Sequence, residues 1–266
     1  MDMRICKRFL RKDDMSMMTF AEKIAREPVG NGELAVFWAG QAGFIFKTGR
    51  GKLIAADLYL SDCCRRYAGF KRLLPRLMGP YDAEFDVVVA THSHYDHFDV
   101  DAMPMLLENG RTRFFGAYDT KSELERLGLK ERLEFMRPGD SFEAEGVKIT
   151  AVRCDHGELA PDAVGIILEA EGKKVYMTGD TCFRPDYFSD GIFSGTDLLI
   201  LPINGAFGNM NEAEAAKCAE IIAPGLTVPC HFWNFAEHGG DPCRFAAEMK
   251  ERGAYEIMRP GEGLKI

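Results

Sequence analysis

Residues 91–99, THSHYDHFD, contain three of the six histidines of this 266-residue chain, together with two aspartates. The stretch ends an apolar, β-branched run, FDVVVATH, which predicts a strand buried on both faces. His92 and His94 alternate and can point to one side, whereas Asp96 and His97 can address a second position nearby. Because imidazole and carboxylate groups bind Zn, Mn or Fe, this spacing favours a metal site over a polar surface loop.

Three further side chains of the same types stand where other apolar runs end. VKITAVRCDH ends at His156, KKVYMTGD at Asp180 and LTVPCHF at His231. Taken alone, such a histidine is more often a hydrogen-bonded structural residue, and such an aspartate a helix cap. Sites in open α/β sheets are built at the carboxyl ends of strands, so the four segments together predict one shared site.

These residues make the chain resemble the metallo-β-lactamase superfamily, whose H-x-H-x-D-H motif is present as His92, His94, Asp96 and His97. Within it the chain is most similar to the L-ascorbate-6-phosphate lactonase group. The segments that carry this similarity are FWAGQAGFIFKTGRGKLIAAD, ATHSHYDHFDV, TGDTCF and VPCHFWNFAEHGGDP. The resemblance implies an α/β, αββα four-layer fold, in which two mixed sheets pack face to face with helices outside.

The resemblance also implies one or two divalent ions per chain, Zn or Mn. One ion would be bound by His92, His94 and His156, a second by Asp96, His97 and His231, and Asp180 would bridge them. The implied reaction is hydrolysis by a hydroxide held between the ions, because a bound metal lowers the pKa of water to about 7. Asp96 is the predicted catalytic residue, since it can orient this water and accept a proton as well as bind metal.

The predicted substrate is a small ester or lactone, with a sugar-phosphate lactone such as L-ascorbate 6-phosphate as one form of it. An alternative is phosphodiester hydrolysis on a small nucleotide, because paired metals serve both chemistries. The predicted pocket residues are Asn204, Asn209, Trp233 and His238. The phosphate-binding residues of the lactonase group cannot be carried over, because the segment PINGAFGNMNEAE (202–214) is shortened here.

The formal charge of −8 and the pI near 5.4 argue against a nucleic-acid polymer as partner. No apolar run approaches the roughly 18 residues that span a bilayer, and the first residues lack the long apolar segment of a signal peptide. The eight cysteines are scattered and form no CxxC motif. We therefore expect a cytoplasmic protein with reduced thiols and no membrane partner, and the sequence leaves homo-oligomer formation open.

Residues 1–30 are predicted to form an N-terminal helical extension, with a helix in MSMMTFAEKIAREP that Pro28 ends. Residues 31–266 are predicted to be a single catalytic domain. Two series of strands, each followed by helix, fit two sheets packed together, and no linker or low-complexity tract separates them.

Overall fold

The computed structural model describes residues 18–266. The helix predicted in the N-terminal segment, α1, runs over Phe20–Arg26, and the earlier part of the predicted extension lies outside the described residues. Thr19 starts α1 with a capping box, in which the Thr19 side chain accepts from the Glu22 N–H and the Glu22 carboxylate accepts from the Thr19 N–H. Phe20 is buried with its ring edge against Phe37, so α1 packs onto the first sheet.

The first sheet is mixed and has seven strands. They are β1 (Leu34–Gly40), β2 (Gly43–Thr48), β3 (Leu53–Ala56), β4 (Val87–Ala90), β5 (Arg113–Ala117), β6 (Leu133–Met136) and β13 (Gly263–Lys265). Their order is β13-β1-β2-β3-β4-β5-β6. Strands β3 to β6 run parallel, whereas β13, β1, β2 and β3 pair antiparallel.

The second sheet is also mixed and has six strands. They are β7 (Ser141–Ala144), β8 (Val147–Arg153), β9 (Val164–Ala170), β10 (Lys173–Met177), β11 (Leu198–Pro202) and β12 (Leu226–Cys230). Their order is β12-β11-β10-β9-β8-β7. Strands β10, β11 and β12 run parallel, and the others pair antiparallel.

Helices cover the outer faces of both sheets. After α1 they are α2 (Cys63–Ala68), α3 (Met103–Leu107), α4 (Thr120–Arg126), α5 (Pro185–Phe188), α6 (Glu212–Ile222) and α7 (Pro242–Met249). Alternate residues of β1 show the layering. Val36 and Trp38 belong to the core between the sheets, whereas Ala35 and Phe37 belong to a separate core shared with α1 and α3. The αββα architecture predicted from the resemblance is confirmed.

The apolar runs of the sequence do not predict three short strands, β6, β7 and β13. Strands β6 and β7 are edge strands in which only the last residue, Met136 or Ala144, is buried, so neither has the continuous apolar run that marks a buried strand. Strand β13 returns from the chain end to pair with β1, with Ala35 opposite Lys265. The division of the chain at residue 30 stays a prediction. Within residues 18–266, no helix has both the length and the apolarity that crossing a membrane requires.

Candidate metal centre

The predicted ligands lie at the carboxyl ends of strands from both sheets. The THSHYDHFD stretch follows β4 of the first sheet, whereas His156, Asp180 and His231 follow β8, β10 and β12 of the second. Parallel strands end at the same edge of a sheet, which brings these loops together above the sandwich. His92, His97, His156, Asp180 and His231 are buried, and the Asp96 side chain is 15% exposed.

Three histidines form a first group of ligand-type atoms. His92 Nε2 lies 2.9 Å from His94 Nδ1. One ring nitrogen of each of His92, His94 and His156 lies within 4.8 Å of the other two. Neither nitrogen of His156 has a hydrogen-bond partner, although the residue is buried. Burying an unpaired polar group is costly. A cation bound by the three rings would explain why their nitrogens lie so close together, and it would give one nitrogen of His156 a partner. This group therefore fits a divalent ion.

Asp96, His97, Asp180 and His231 form a second group. His97 Nε2 lies 3.3 Å from His231 Nε2, 3.3 Å from Asp180 Oδ1 and 3.7 Å from Asp96 Oδ2. His231 Nε2 lies 3.2 Å from Asp180 Oδ1 and 3.3 Å from Asp96 Oδ2. Atoms about 2.0–2.2 Å from one tetrahedral ion are separated by about 3.3–3.6 Å, so the second group also fits a metal such as zinc.

Asp180 faces both groups. Its Oδ1 lies within 3.3 Å of His97 Nε2 and His231 Nε2, while its Oδ2 lies 3.8 Å from His156 Nε2. Each carboxylate oxygen is thus directed to a different set of nitrogens. The bridging role implied by the resemblance is compatible with this orientation.

Two side chains that the sequence reasoning missed, Asp57 and Thr91, orient the histidine rings. Asp57 Oδ2 accepts hydrogen bonds from His97 Nδ1 at 2.8 Å and from Thr91 Oγ1 at 2.7 Å. Thr91 Oγ1 in turn lies 3.1 Å from His92 Nδ1. Such partners leave the Nε2 atoms of His92 and His97 facing the centre, which is how outer residues usually fix metal-binding histidines. Asp57 follows β3 as Asp180 follows β10, a pattern that could have identified it.

Gln41 is a third residue that the sequence reasoning missed. It occupies the turn between β1 and β2 and is 1% exposed. Its Nε2 donates to Asp96 Oδ2 at 2.8 Å and lies 3.2 Å from both His231 Nε2 and His238 Nδ1. Its backbone carbonyl accepts from the His231 N–H at 3.0 Å. Gln41 therefore positions Asp96 through its side chain and the β12 loop through its backbone carbonyl.

The buried carboxylates shift the pKa values of two candidate ligands, His97 and His231. Burial opposes protonation of His97 and His231, but nearby carboxylates, Asp180 first, outweigh it. They raise the pKa of His97 well above its ordinary value and that of His231 to about 9. Burial also opposes ionisation of Asp180, but His231 and His97 hold its pKa well below the usual range. Without metal, protons on two histidines balance the carboxylates, and a divalent cation would replace them.

Three histidines, His92, His156 and His238, are held neutral. Burial, followed by the charge of neighbouring histidines, keeps the pKa of His92 well below its ordinary value. Burial likewise lowers the pKa of His156 and of His238 to about 4. The attraction of Asp180 for His156, and of Asp96 and Asp180 for His238, offsets this only in part. Neutral imidazole is the form that binds metal, so His92 and His156 are ready for an ion without losing a proton.

A cavity of about 370 Å³ opens over both groups. Its lining residues are Cys64, Tyr67, Ala68, Phe70, Ser93, His94, Tyr95, Asp96, His156, Leu159, Asp180, Phe207, His231 and His238. Of the four predicted pocket residues, His238 lines the cavity and stacks on His231, with ring centroids 4.7 Å apart. Asn204 and Asn209 are buried and Trp233 is 42% exposed, and these three are not among the lining residues.

The chain matches known proteins over most of its length. Residues 58–232 match the family model described as "Beta-lactamase superfamily domain". A UPF0173 metal-dependent hydrolase of Methanopyrus kandleri is 32% identical over 198 residues, covering 70% of this chain and 84% of that protein. A UPF0173 metal-dependent hydrolase of Thermococcus onnurineus is 30% identical, covering 78% of this chain and 98% of that protein.

Solved structures share the fold. A metallo hydrolase from the archaeon Ignicoccus hospitalis superimposes with a TM-score of 0.71 at 23% identity, covering 88% of this chain and 98% of that one. The metallo-β-lactamase fold protein YhfI from Bacillus subtilis gives a TM-score of 0.67 at 19% identity, covering 88% and 99%. The family model and the two relatives show that the chain belongs to the metallo-β-lactamase superfamily, among the UPF0173 metal-dependent hydrolases.

Proposed function

We propose that this metal-dependent hydrolase opens a small neutral lactone or cleaves a small neutral carboxylic ester. The observation that carries the proposal is the charge of the cavity. Within residues 18–266, the side chains that line it include five of the seven candidate ligands but no lysine or arginine. Proteins usually hold phosphate groups with such cations, so a neutral substrate fits better than a phosphorylated lactone or a phosphodiester.

A divalent ion, when bound, supplies hydroxide at neutral pH by lowering the pKa of its water. Asp96 lines the cavity, and Gln41 fixes its Oδ2 by a 2.8 Å hydrogen bond. The carboxylate is therefore placed to orient the attacking water and to accept its proton. Because Gln41 Nε2 donates toward Nδ1 of the neutral His238, the His238 proton belongs on Nε2, which can then donate to a substrate oxygen.

Turnover of matched substrates tests this proposal. Metal-loaded protein and its Asp96→Asn variant would be assayed with γ-butyrolactone, a phosphorylated sugar lactone and bis(p-nitrophenyl) phosphate. We expect the neutral lactone to open and Asp96→Asn to lower kcat by about a hundredfold or more. Asp101→Asn is the matched control, because Asp101 pairs with Arg66 and does not line the cavity.

The metal content of each variant, measured by mass spectrometry, separates loss of the proton acceptor from loss of the ion. Cleavage of the phosphodiester with no opening of the lactone would refute the proposal and assign the protein to the phosphodiesterases. Faster turnover of the phosphorylated lactone than of the neutral one would refute the neutral substrate.

A further inference from the structure

Three exposed apolar side chains from distant segments meet around the cavity. Tyr67 of α2 is 57% exposed, Leu159 in the short 3₁₀ turn after His156 is 55% exposed, and Phe207 in the turn before α6 is 46% exposed. All three line the cavity, and we call them the apolar wall. Single exposed hydrophobic residues are ordinary, but a group gathered at one concave site marks a place where something apolar binds.

Each member of the apolar wall is attached to a segment that carries candidate ligands. The Leu159 carbonyl oxygen accepts a hydrogen bond from His94 Nε2 at 3.2 Å. The Tyr67 ring packs edge-on against Tyr95, which lies between His94 and Asp96 in the chain, with ring centroids 5.0 Å apart. These contacts set the distance from the wall to the ligand groups.

Phe207 is attached in the same way through the β12 loop. Its ring centroid lies 5.3 Å from that of His238, which stacks on the candidate ligand His231. The Phe207 ring also lies 5.7 Å from that of Phe70, a second aromatic residue of the cavity lining, and the Phe70 ring lies 5.8 Å from that of His238. A substrate group that rests on the wall is therefore held at a set distance from the candidate metal ligands.

Two arginines of the neighbouring segments, Arg66 and Arg72, are already engaged. Arg66 pairs with Asp101 and lies over the outside of the Tyr67 ring, 5.3 Å from its centroid. Arg72 donates to the backbone carbonyls of Tyr59 and Ser61 at 3.0 and 2.8 Å. Neither arginine is free to bind a charged substituent of a substrate. The apolar wall is therefore suited to recognise the shape and apolar area of a substituent.

We propose that the apolar wall binds an aromatic or branched aliphatic group of the substrate and thereby selects the substrate of this metal centre. The inference deepens the proposed function, on which it rests for the reaction type. It names Tyr67, Leu159 and Phe207 as residues that determine specificity, and a neutral ester or lactone with an aromatic or branched aliphatic substituent as the substrate class.

Binding of two hydroxamates tests the wall without any turnover. Acetohydroxamate and benzohydroxamate present the same metal-chelating group but differ by a methyl against a phenyl ring. Calorimetry on the zinc-loaded protein should show benzohydroxamate binding about tenfold more tightly or better, because its ring buries additional apolar area. In Phe207→Ala and in Leu159→Ala we expect this ratio to fall to about threefold or less, since each variant removes part of the ring's contact surface.

Leu73→Ala is the matched control for Leu159→Ala. Leu73 is 56% exposed, almost the same as Leu159, but does not line the cavity, so its removal should leave the ratio at the wild-type value. Equal affinity for the two hydroxamates in the wild type would overturn the inference. A ratio that stays at the wild-type value in both wall variants would overturn it as well, and if one variant does not fold the other decides.

A pair of lactones separates failure of the wall from failure of the reaction. γ-Phenyl-γ-butyrolactone and γ-butyrolactone share one scissile bond, and kcat/KM should favour the phenyl compound by about tenfold. Opening of both at equal kcat/KM would retain the reaction and refute the wall. A benzohydroxamate preference that depends on Phe207, with neither lactone opened, would retain the wall and refute the proposed reaction.

Discussion

Replacing Gln41 by methionine should weaken binding of an ion to the second group by about tenfold to a hundredfold. In the structure Gln41 Nε2 donates to Asp96 Oδ2 at 2.8 Å in a buried position. A hydrogen bond to a charged group contributes about 1.5–3 kcal/mol. Since about 1.4 kcal/mol corresponds to tenfold in Kd, the two estimates agree. Methionine keeps the length of the side chain and removes the donor.

The assay is a calorimetric titration of zinc into metal-free protein. The three-histidine group serves as an internal control, because Gln41 makes no contact with His92, His94 or His156 among its hydrogen bonds. We therefore expect the zinc affinity of that group to be unchanged. Gln41→Ala removes volume as well as the donor, so a similar loss in both variants would show that the donor matters more than packing.

The backbone of the Gln41 turn should survive both substitutions. Its carbonyl oxygen accepts from the His231 N–H and from Trp38 Nε1, each at 3.0 Å, and neither bond uses the side chain. Equal melting temperatures of the metal-free proteins would confirm this. If zinc bound with unchanged affinity at both steps, or lost affinity equally at both, Asp96 would be positioned without Gln41 and the reasoning would be refuted.

Three further predictions concern residues around the centre. Asp57→Asn should weaken zinc binding to the second group about tenfold, because His97 Nδ1 loses its carboxylate acceptor. An unchanged zinc affinity in calorimetry would contradict this. In the metal-free protein the pKa values of His156 and His238 are lowered to about 4, so between about pH 4 and 6.5 the folded state binds fewer protons than the unfolded state. The free energy of unfolding should therefore rise with pH up to about 6.5. His231, with its pKa raised to about 9, binds more protons folded, so stability should fall from about pH 6.5 to 9; melting temperatures that rise steadily to pH 9 would oppose this. Asp99→Ala should lower the free energy of unfolding by about 3 kcal/mol or more, because this buried carboxylate accepts several hydrogen bonds from the loop after β3. Urea unfolding measures it, and a loss below about 1 kcal/mol would argue against the assignment.

The candidate ligands were predictable because each one ends an apolar run. Strand ends are visible in sequence, and the side chains of His156, Asp180 and His231 lie in the structure beside the THSHYDHFD histidines as the shared-site prediction requires. That all of them bind metal stays a prediction. The pairing of β13 with β1 was not predictable in this way, since three residues carry too little periodicity to show a strand.

The surroundings of the ligands were harder to predict, because they depend on which loops fold over the sheet ends. Gln41 reaches Asp96 across 55 positions of the sequence, and only the fold brings them together. The members of the apolar wall are likewise far apart in the chain. Leu159 and Phe207 carry no sequence pattern that distinguishes them from other surface hydrophobic residues.

The candidate ligands come from β4 of one sheet and from β8, β10 and β12 of the other, so a bound ion would join the two layers of the sandwich. An ion that binds the folded state alone adds RT ln(1 + [M]/Kd) to its stability. The coupling is reciprocal, so whatever loosens the contact between the sheets also weakens the site. A substitution at Trp38, whose ring packs on Phe232 between the layers, should then weaken metal binding as well as lower the melting temperature.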